Sequence, residues 1–209
     1  ATVRVSVGGQ TNLVATNNGN GTWTLADNTI NPALADGTFD VSVTATDAAG
    51  NAGTDSTSNE LTVDNTAPVV TINTLSTNDS RPQLTGTVND STASIRVDVN
   101  GQTNLVATNN GNGTWTLPDN TINPALATGT YDVTVRATDG QSNVGTDGTT
   151  NELTIDTTPP TVAINTLLTN DTRPALSGTV NDNGATIVVA VAGQNRNATN
   201  NGDGNWTLA

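Results

Sequence analysis

The side chains able to do chemistry in this sequence are almost all oxygen donors. Nineteen Asp and Glu residues stand against six Arg, for a formal charge of −13, and Lys, His, Cys and Met are absent. The carboxylates recur at a fixed interval: Asp47 and Asp139, Asp55 and Asp147, Asp64 and Asp156, and Asp90 and Asp182 are each 92 residues apart, and Asn51 is matched by Asn143. Hard oxygens of this kind, completed by backbone carbonyls and water to about six to eight positions, suit Ca²⁺ better than Mg²⁺, which demands a stricter octahedron. Asp and Asn are also ordinary turn formers that cap their own backbone. Taken singly these residues fit that role; taken as a cluster they point to calcium. Neither an EF-hand loop nor a Gly-Gly-x-Gly-x-Asp nonapeptide run is present.

The same inventory excludes most other functions. Without His or Cys there is no Ser-His-Asp or Cys-His pair and no imidazole or thiolate zinc site, and without Lys no Schiff base. A glycosidase using paired Asp residues has no recognisable pocket motif, and an active site duplicated in every repeat would be unusual. An acidic chain cannot assemble the basic patch that nucleic acid requires. No apolar run approaches the roughly 18 residues of a membrane span, and no signal peptide is evident. The chain reads as an internal piece of a longer, secreted protein whose small cores carry no disulfides.

Self-similarity organises the rest. Gly9 to Leu25 recurs unchanged as Gly101 to Leu117, and Trp23, Trp115 and Trp206 mark three copies of one unit. A period of 92 residues is a whole domain rather than a solenoid turn. The stretches Asp64-Asn65-Thr66-Ala67-Pro68 and Asp156-Thr157-Thr158-Pro159-Pro160 read as joints, since the residue before proline is extended and each stretch lies between two strand-like runs. The expected frame is the last part of one repeat over 1–64, a complete repeat over 65–156, and the first part of a third over 157–209.

Within the complete repeat, period-2 alternation predicts seven strands, A to G: Val69–Leu75, Gln83–Val88, Ser94–Asn100, Thr103–Thr108, Thr114–Leu117, Thr130–Thr138 and Asn151–Ile155. Seven short strands in one such unit suit an all-β fold of tandem immunoglobulin-like sandwiches arranged end to end. In that fold the B-C, D-E and F-G loops lie at the end where the preceding linker enters. Asp64, Asp90, Asp139 and Asn143 then converge on one joint, and Asp156 and Asp182 on the next. Asp47 and Asn51 are the equivalents of Asp139 and Asn143, and Asp55 and Asp147 would add a second ion on the long F-G loop. Trp115 alternates with threonines and is expected in the core.

The runs Thr77-Asn78-Asp79-Ser80-Arg81-Pro82, Gly113-Thr114-Trp115-Thr116-Leu117, Gly129-Thr130-Tyr131-Asp132-Val133, Thr46-Asp47-Ala48-Ala49-Gly50-Asn51 and Val63-Asp64-Asn65-Thr66-Ala67-Pro68 resemble the bacterial Ig-like domains. These occur in tandem arrays in giant surface adhesins exported by type I secretion, of the repeats-in-toxin and biofilm-associated kinds. The resemblance implies an extender region: a calcium-stiffened rod between the cell-anchored end and a distal binding tip. Asp139-Gly140-Gln141-Ser142-Asn143 departs from the usual Asp-Ala-Ala-Gly-Asn loop.

Two function classes remain. A spacer needs only to be repeated, which near-identical copies satisfy; a carbohydrate- or cell-surface-binding module would instead expose a tryptophan beside a loop groove. The partners expected are neighbouring repeats of the same chain. The terminal pieces, each lacking two strands in this frame, are expected to associate head to tail with those of another molecule.

Overall fold

The computed structural model describes residues 1–55 and 57–209, and no helix among them is long and apolar enough to cross a membrane. The chain divides into two compact units: 1–75, 81–125 and 130–153 form one, and 76–80, 126–129 and 154–209 the other. The elements are strands throughout, because Val, Ile and Thr alternate between Asn- and Gly-rich turns.

Residues 1–63 form β1 (Thr2–Val7), β2 (Gln10–Asn17), β3 (Trp23–Thr24), β4 (Gly37–Phe39), β5 (Val41–Thr46), β6 (Ala52–Thr54) and β7 (Leu61–Val63). They make a sheet in the order β3-β2-β1-β5-β6 and a pair β4-β7. The next copy contributes β8 (Val70–Ile72), β9 (Leu75–Thr77), β10 (Leu84–Val88), β11 (Ser94–Val99), β12 (Gln102–Asn109), β13 (Thr114–Leu117), β14 (Gly129–Tyr131), β15 (Val133–Thr138), β16 (Val144–Thr146) and β17 (Leu153–Ile155). These form two sheets, ordered β16-β15-β11-β12-β13-β10-β8 and β14-β17-β9. The last copy supplies β18 (Val162–Ile164), β19 (Leu176–Val180), β20 (Ile187–Val191), β21 (Gln194–Asn200) and β22 (Asn205–Leu208), in one sheet ordered β18-β19-β22-β21-β20.

Alternate side chains are buried along both sheets of the middle copy, as a two-sheet sandwich requires: Ile95, Val97 and Val99 on β11, Val133, Val135 and Ala137 on β15, Leu153 and Ile155 on β17. Trp115 is fully buried, and its indole N–H donates to the Thr71 carbonyl at 2.8 Å. Gly86 makes that approach possible, since a Cβ there would lie 1.9 Å from Thr71 O and 2.6 Å from the indole nitrogen. Trp206, Ala163 and Gly178 repeat the arrangement in the last copy.

The fold differs from the sequence expectation in strands A and F. Each is one strand in the alternation pattern and two in the structure, because each changes sheets part-way: A between β8 and β9, F between β14 and β15 at Asp132. Where strand F leaves one ladder for another, two carboxylates bond it reciprocally to the residues just before strand G and supply the acceptors. Asp132 Oδ1 accepts Asn151 N at 2.8 Å and Glu152 Oε2 accepts Val133 N at 3.0 Å. The first copy repeats this reciprocal clasp with Asp40 on Asn59 N (2.8 Å) and Glu60 on Val41 N (2.9 Å). Strand G consequently begins at Leu153, with Asn151 held at φ 63°. The long F-G loop also contains a short strand of its own, β16, paired with β15 through Arg136 to Thr138.

Candidate functional site

The linker after β7 is held from two sides. Asp36 Oδ1 accepts Asn65 N at 2.8 Å, and the other oxygen of that carboxylate accepts the Thr66 hydroxyl. Asp64 Oδ1 caps Thr66 N at 3.0 Å, so the linker is turned on itself as well. From the following repeat, Asn143 Nδ2 donates to the Asp64 carbonyl at 3.0 Å. That bond joins residues 79 apart in sequence and brings the F-G turn of one repeat onto the linker that enters it.

Asp139 builds that turn. Its Oδ1 accepts Gln141 N (2.9 Å) and Asn143 N (2.8 Å), and its Oδ2 accepts Asn143 Nδ2 at 2.9 Å, which aims the Asn143 amide at the linker. The Asn143 amide, followed by the turn's N–H groups, holds the Asp139 carboxyl below the ordinary Asp value. Asp90, in the B-C loop, caps Thr92 through its N–H and hydroxyl, both at 2.7 Å, and these bonds likewise hold its carboxyl low. Asp139 pushes the Asp90 carboxyl in the opposite direction, so the two charges lie close enough to repel. The D-E loop closes on the same place, with Asn109 Nδ2 donating to the carbonyls of Asp90 (2.8 Å) and Ala93 (2.9 Å).

Four residues expected at this joint are therefore in one neighbourhood: Asp64 through its carbonyl, Asp139 and Asn143 in the turn, and Asp90 beside them. Their donor chemistry is oxygen throughout, with carboxylates from Asp90 and Asp139, a side-chain amide from Asn143 and a backbone carbonyl from Asp64, which is the kind of set a calcium ion takes. Each carboxylate also serves a local turn, and among the described residues no three acidic side chains gather into a set able to hold a metal.

Asp47 and Asn51 form the same turn in the first copy, with Asp47 accepting Ala49 N, Asn51 N and Asn51 Nδ2, each at 2.9 Å. The Asn51 side chain is the main cause that lowers its carboxyl. Asp147 stands elsewhere, just after β16, where Oδ2 accepts Ile72 N at 3.1 Å and the Thr149 hydroxyl at 2.8 Å. Asp55 holds the corresponding place after β6 and takes Thr57 in the same way, at 2.9 Å. Asp156 Oδ1 accepts Thr158 N at 2.9 Å, and Asp182 Oδ1 accepts Gly184 N at 2.7 Å, so each caps its own turn.

Asp36 escaped the sequence reading because no local motif marks a contact across 29 residues. A signal exists in the comparison of copies: Asp36 and Asn65 become Thr128 and Thr157, which still bond to each other through their hydroxyls at 2.8 Å. A paired replacement that preserves a hydrogen bond betrays a contact. Gln102 was also missed; its amide spans the loop before strand F, donating to Pro124 O at 2.9 Å and accepting Asn123 N at 2.6 Å.

The family model described as bacterial Ig-like domain matches residues 1–65 and 73–157. The chain belongs to that family. No match is found among curated proteins. Among solved structures, the bacterial Ig-like chain is similar to a Ca²⁺-stabilized adhesin that helps an Antarctic bacterium reach out and bind ice, at 22% identity and a TM-score of 0.41. It is also similar to a 1.5-MDa bacterial ice-binding adhesin (20% identity, TM-score 0.44) and to a tetra-tandem repeat in the extending region of a large adhesion protein (24% identity, TM-score 0.39). Each alignment covers 99% of this chain and, in the same order, 55%, 73% and 57% of the other. The chain thus spans about half the length of the first of these structures.

Proposed function

We propose that these bacterial Ig-like repeats are extender units of a secreted, cell-surface adhesin, without enzymatic activity, whose work is to supply length and stiffness. The repeats occupy the frame 1–64, 65–156 and 157–209, and their partners are the neighbouring repeats. The observation that carries this reading is the joint itself: residues 64–66 are bonded to Asp36 on one side and Asn143 on the other. A linker serving only as a tether needs no such grip. Calcium at Asp64, Asp90, Asp139 and Asn143 stiffens the joint further by neutralising the repulsion between Asp90 and Asp139. Asp156 and Asp182 do the same at the next joint, and Asp55 and Asp147 take ions on the F-G loops. The chain then projects a distal binding domain for adhesion or biofilm formation.

Trp115 and Trp206 are buried in the core and give the carbohydrate- or surface-binding alternative no support; Trp23, 41% exposed beside a groove walled by Leu25, Val41 and Leu61, is the observation that favours it. Residual dipolar couplings on the whole chain test the spacer reading: alignment of the flanking repeats along one common frame supports it, and independently tumbling repeats contradict it.

A further inference from the structure

Seven asparagines in the chain precede a glycine. With no Cβ on that glycine, its backbone nitrogen can approach the carbonyl carbon of the asparagine side chain, and the structure separates the seven by whether the approach is open. At four of them the nitrogen is already engaged. The N–H groups of Gly19, Gly111 and Gly202 donate to Asn17, Asn109 and Asn200 at 3.0, 3.1 and 3.1 Å, and that of Gly184 donates to Asp182 at 2.7 Å. A fifth, Asn100, sits at φ 47° in the two-residue turn closed by the paired Val99 and Gln102, and among the described residues no bond folds its side chain back. Asn112 and Asn20 are different. Asn112 Oδ1 accepts Thr114 N at 3.2 Å and the Thr114 hydroxyl at 2.7 Å, and Asn20 Oδ1 takes Thr22 in the same way at 3.1 and 2.7 Å. An Asx turn of this kind lays the side chain over the next peptide bond and polarises its carbonyl. Both asparagines are exposed, and among the described residues nothing bonds the Gly113 or Gly21 N–H or the amide nitrogen of Asn112 or Asn20. In Asn110, two residues before Asn112, the amide nitrogen is instead held by the hydroxyls of Thr114 and Thr116 at 2.8 and 3.2 Å.

We propose that Asn112 and Asn20 are sites of spontaneous deamidation built into the D-E turn. At Asn112 the Gly113 nitrogen bonds to Cγ and gives its proton to water or hydroxide, the bond from Cγ to Nδ2 breaks, and ammonia leaves with a proton taken from water. Water then opens the cyclic imide at either carbonyl, leaving aspartate or isoaspartate. One water is consumed and one ammonia released, and nothing is oxidised or reduced. The last copy shows that the turn accepts the aspartate product. At the position of Asn112 it carries Asp203, again followed by a glycine, and Asp203 Oδ1 caps Asn205 N at 3.0 Å as Asn112 caps Thr114. Each conversion adds a negative charge to a chain already at −13, and in the middle copy the charge enters the loop that closes on Asp90 through Asn109.

Incubation of the whole folded chain in mildly alkaline buffer, followed by peptide mapping with mass spectrometry and isoaspartate detection, tests this, with the urea-unfolded chain as the reference. Asn110 and Asn112 both precede glycine, so the unfolded chain converts them at similar rates. In the folded chain Asn112 should convert about tenfold faster than Asn110 or more, because the Gly111 N–H and the Asn110 amide must first leave their partners. Asn20 should outpace Asn18 in the same way. The variant Asn112→Asp should melt with wild type, since Asp203 already fills that place in the last copy. Conversion at Asn110 equal to or faster than at Asn112 in the folded chain would overturn the proposal. So would an Asn112 that stays intact in the folded chain while the unfolded chain converts, and a lower melting temperature for Asn112→Asp would remove the claim that the turn accepts its product.

Discussion

At the scale of single residues, one carboxylate supports the joint and another the outer sheet face. Asp139 aims Asn143 at the linker, whereas Asp98 lies on β11 and pairs with Arg136 at 2.9 Å. Asp139→Ala should therefore weaken calcium binding, read by isothermal titration, and Asp98→Ala should leave it unchanged; equal losses would remove the ligand assignment. Gly86→Ala forces a methyl into the Thr71 carbonyl and the Trp115 ring, overpacking that typically costs about 1–3 kcal/mol. Denaturant unfolding measures it, and Gly111→Ala, in an exposed turn, serves as the comparison for a glycine with positive φ and no close neighbour. The aspartates were legible as loop residues because they recur every 92 positions. Their alignment with one another was partly legible: Asp139 and Asn143 are four residues apart and bond locally, but the contacts of Asp36 with Asn65 and of Glu152 with Val133 span 29 and 19 residues. Nothing in local periodicity encodes such distances.

At the scale of elements, the alternation of Val, Ile and Thr reveals which residues face inward, and β13 falls where the pattern places it. Alternation cannot say which sheet a strand joins, because a strand that crosses from one sheet to another keeps its inward residues inward. The crossing of strand F is held instead by Asp132 with Asn151 and Glu152 with Val133. Glu152→Ala leaves the buried Val133 N–H without its acceptor, a loss typically worth about 1–3 kcal/mol, and the exposed Glu60 should cost less in the same test. Hydrogen exchange at Val133 and Val41 reads both. The turns make a further prediction on pH. Asp36, Asp47, Glu60, Asp90 and Asp139 all have lowered carboxyl values in the folded chain, the hydrogen bonds of each favouring the charged form. Groups lowered on folding stabilise the fold above their unfolded values, near 3.9 for Asp and 4.3 for Glu, and that contribution is lost as pH falls through the folded values. Melting temperature should hold from neutral pH to about 4 and fall below it. A decline already complete by pH 5 would contradict the turn assignments.

At the scale of the whole molecule, the chain is a bacterial Ig-like array whose net charge of −13 works against its own joints. Hydrogen bonds to Asp36 and from Asn143 hold the first linker, and the proposed ions offset the repulsion that remains. An ion bound only by the folded state adds about 2.7 kcal/mol per site at a hundredfold excess over Kd. The most direct measurement of the central claim is a calcium titration of the whole chain followed by thermal unfolding and small-angle scattering, with a chelator as the reference. A calcium-stiffened spacer predicts a higher melting temperature and a narrower distribution of end-to-end lengths as calcium is added, both reversed by chelation. Identical melting curves and identical scattering with calcium and with excess chelator would contradict it, and the carboxylates would then be turn formers alone.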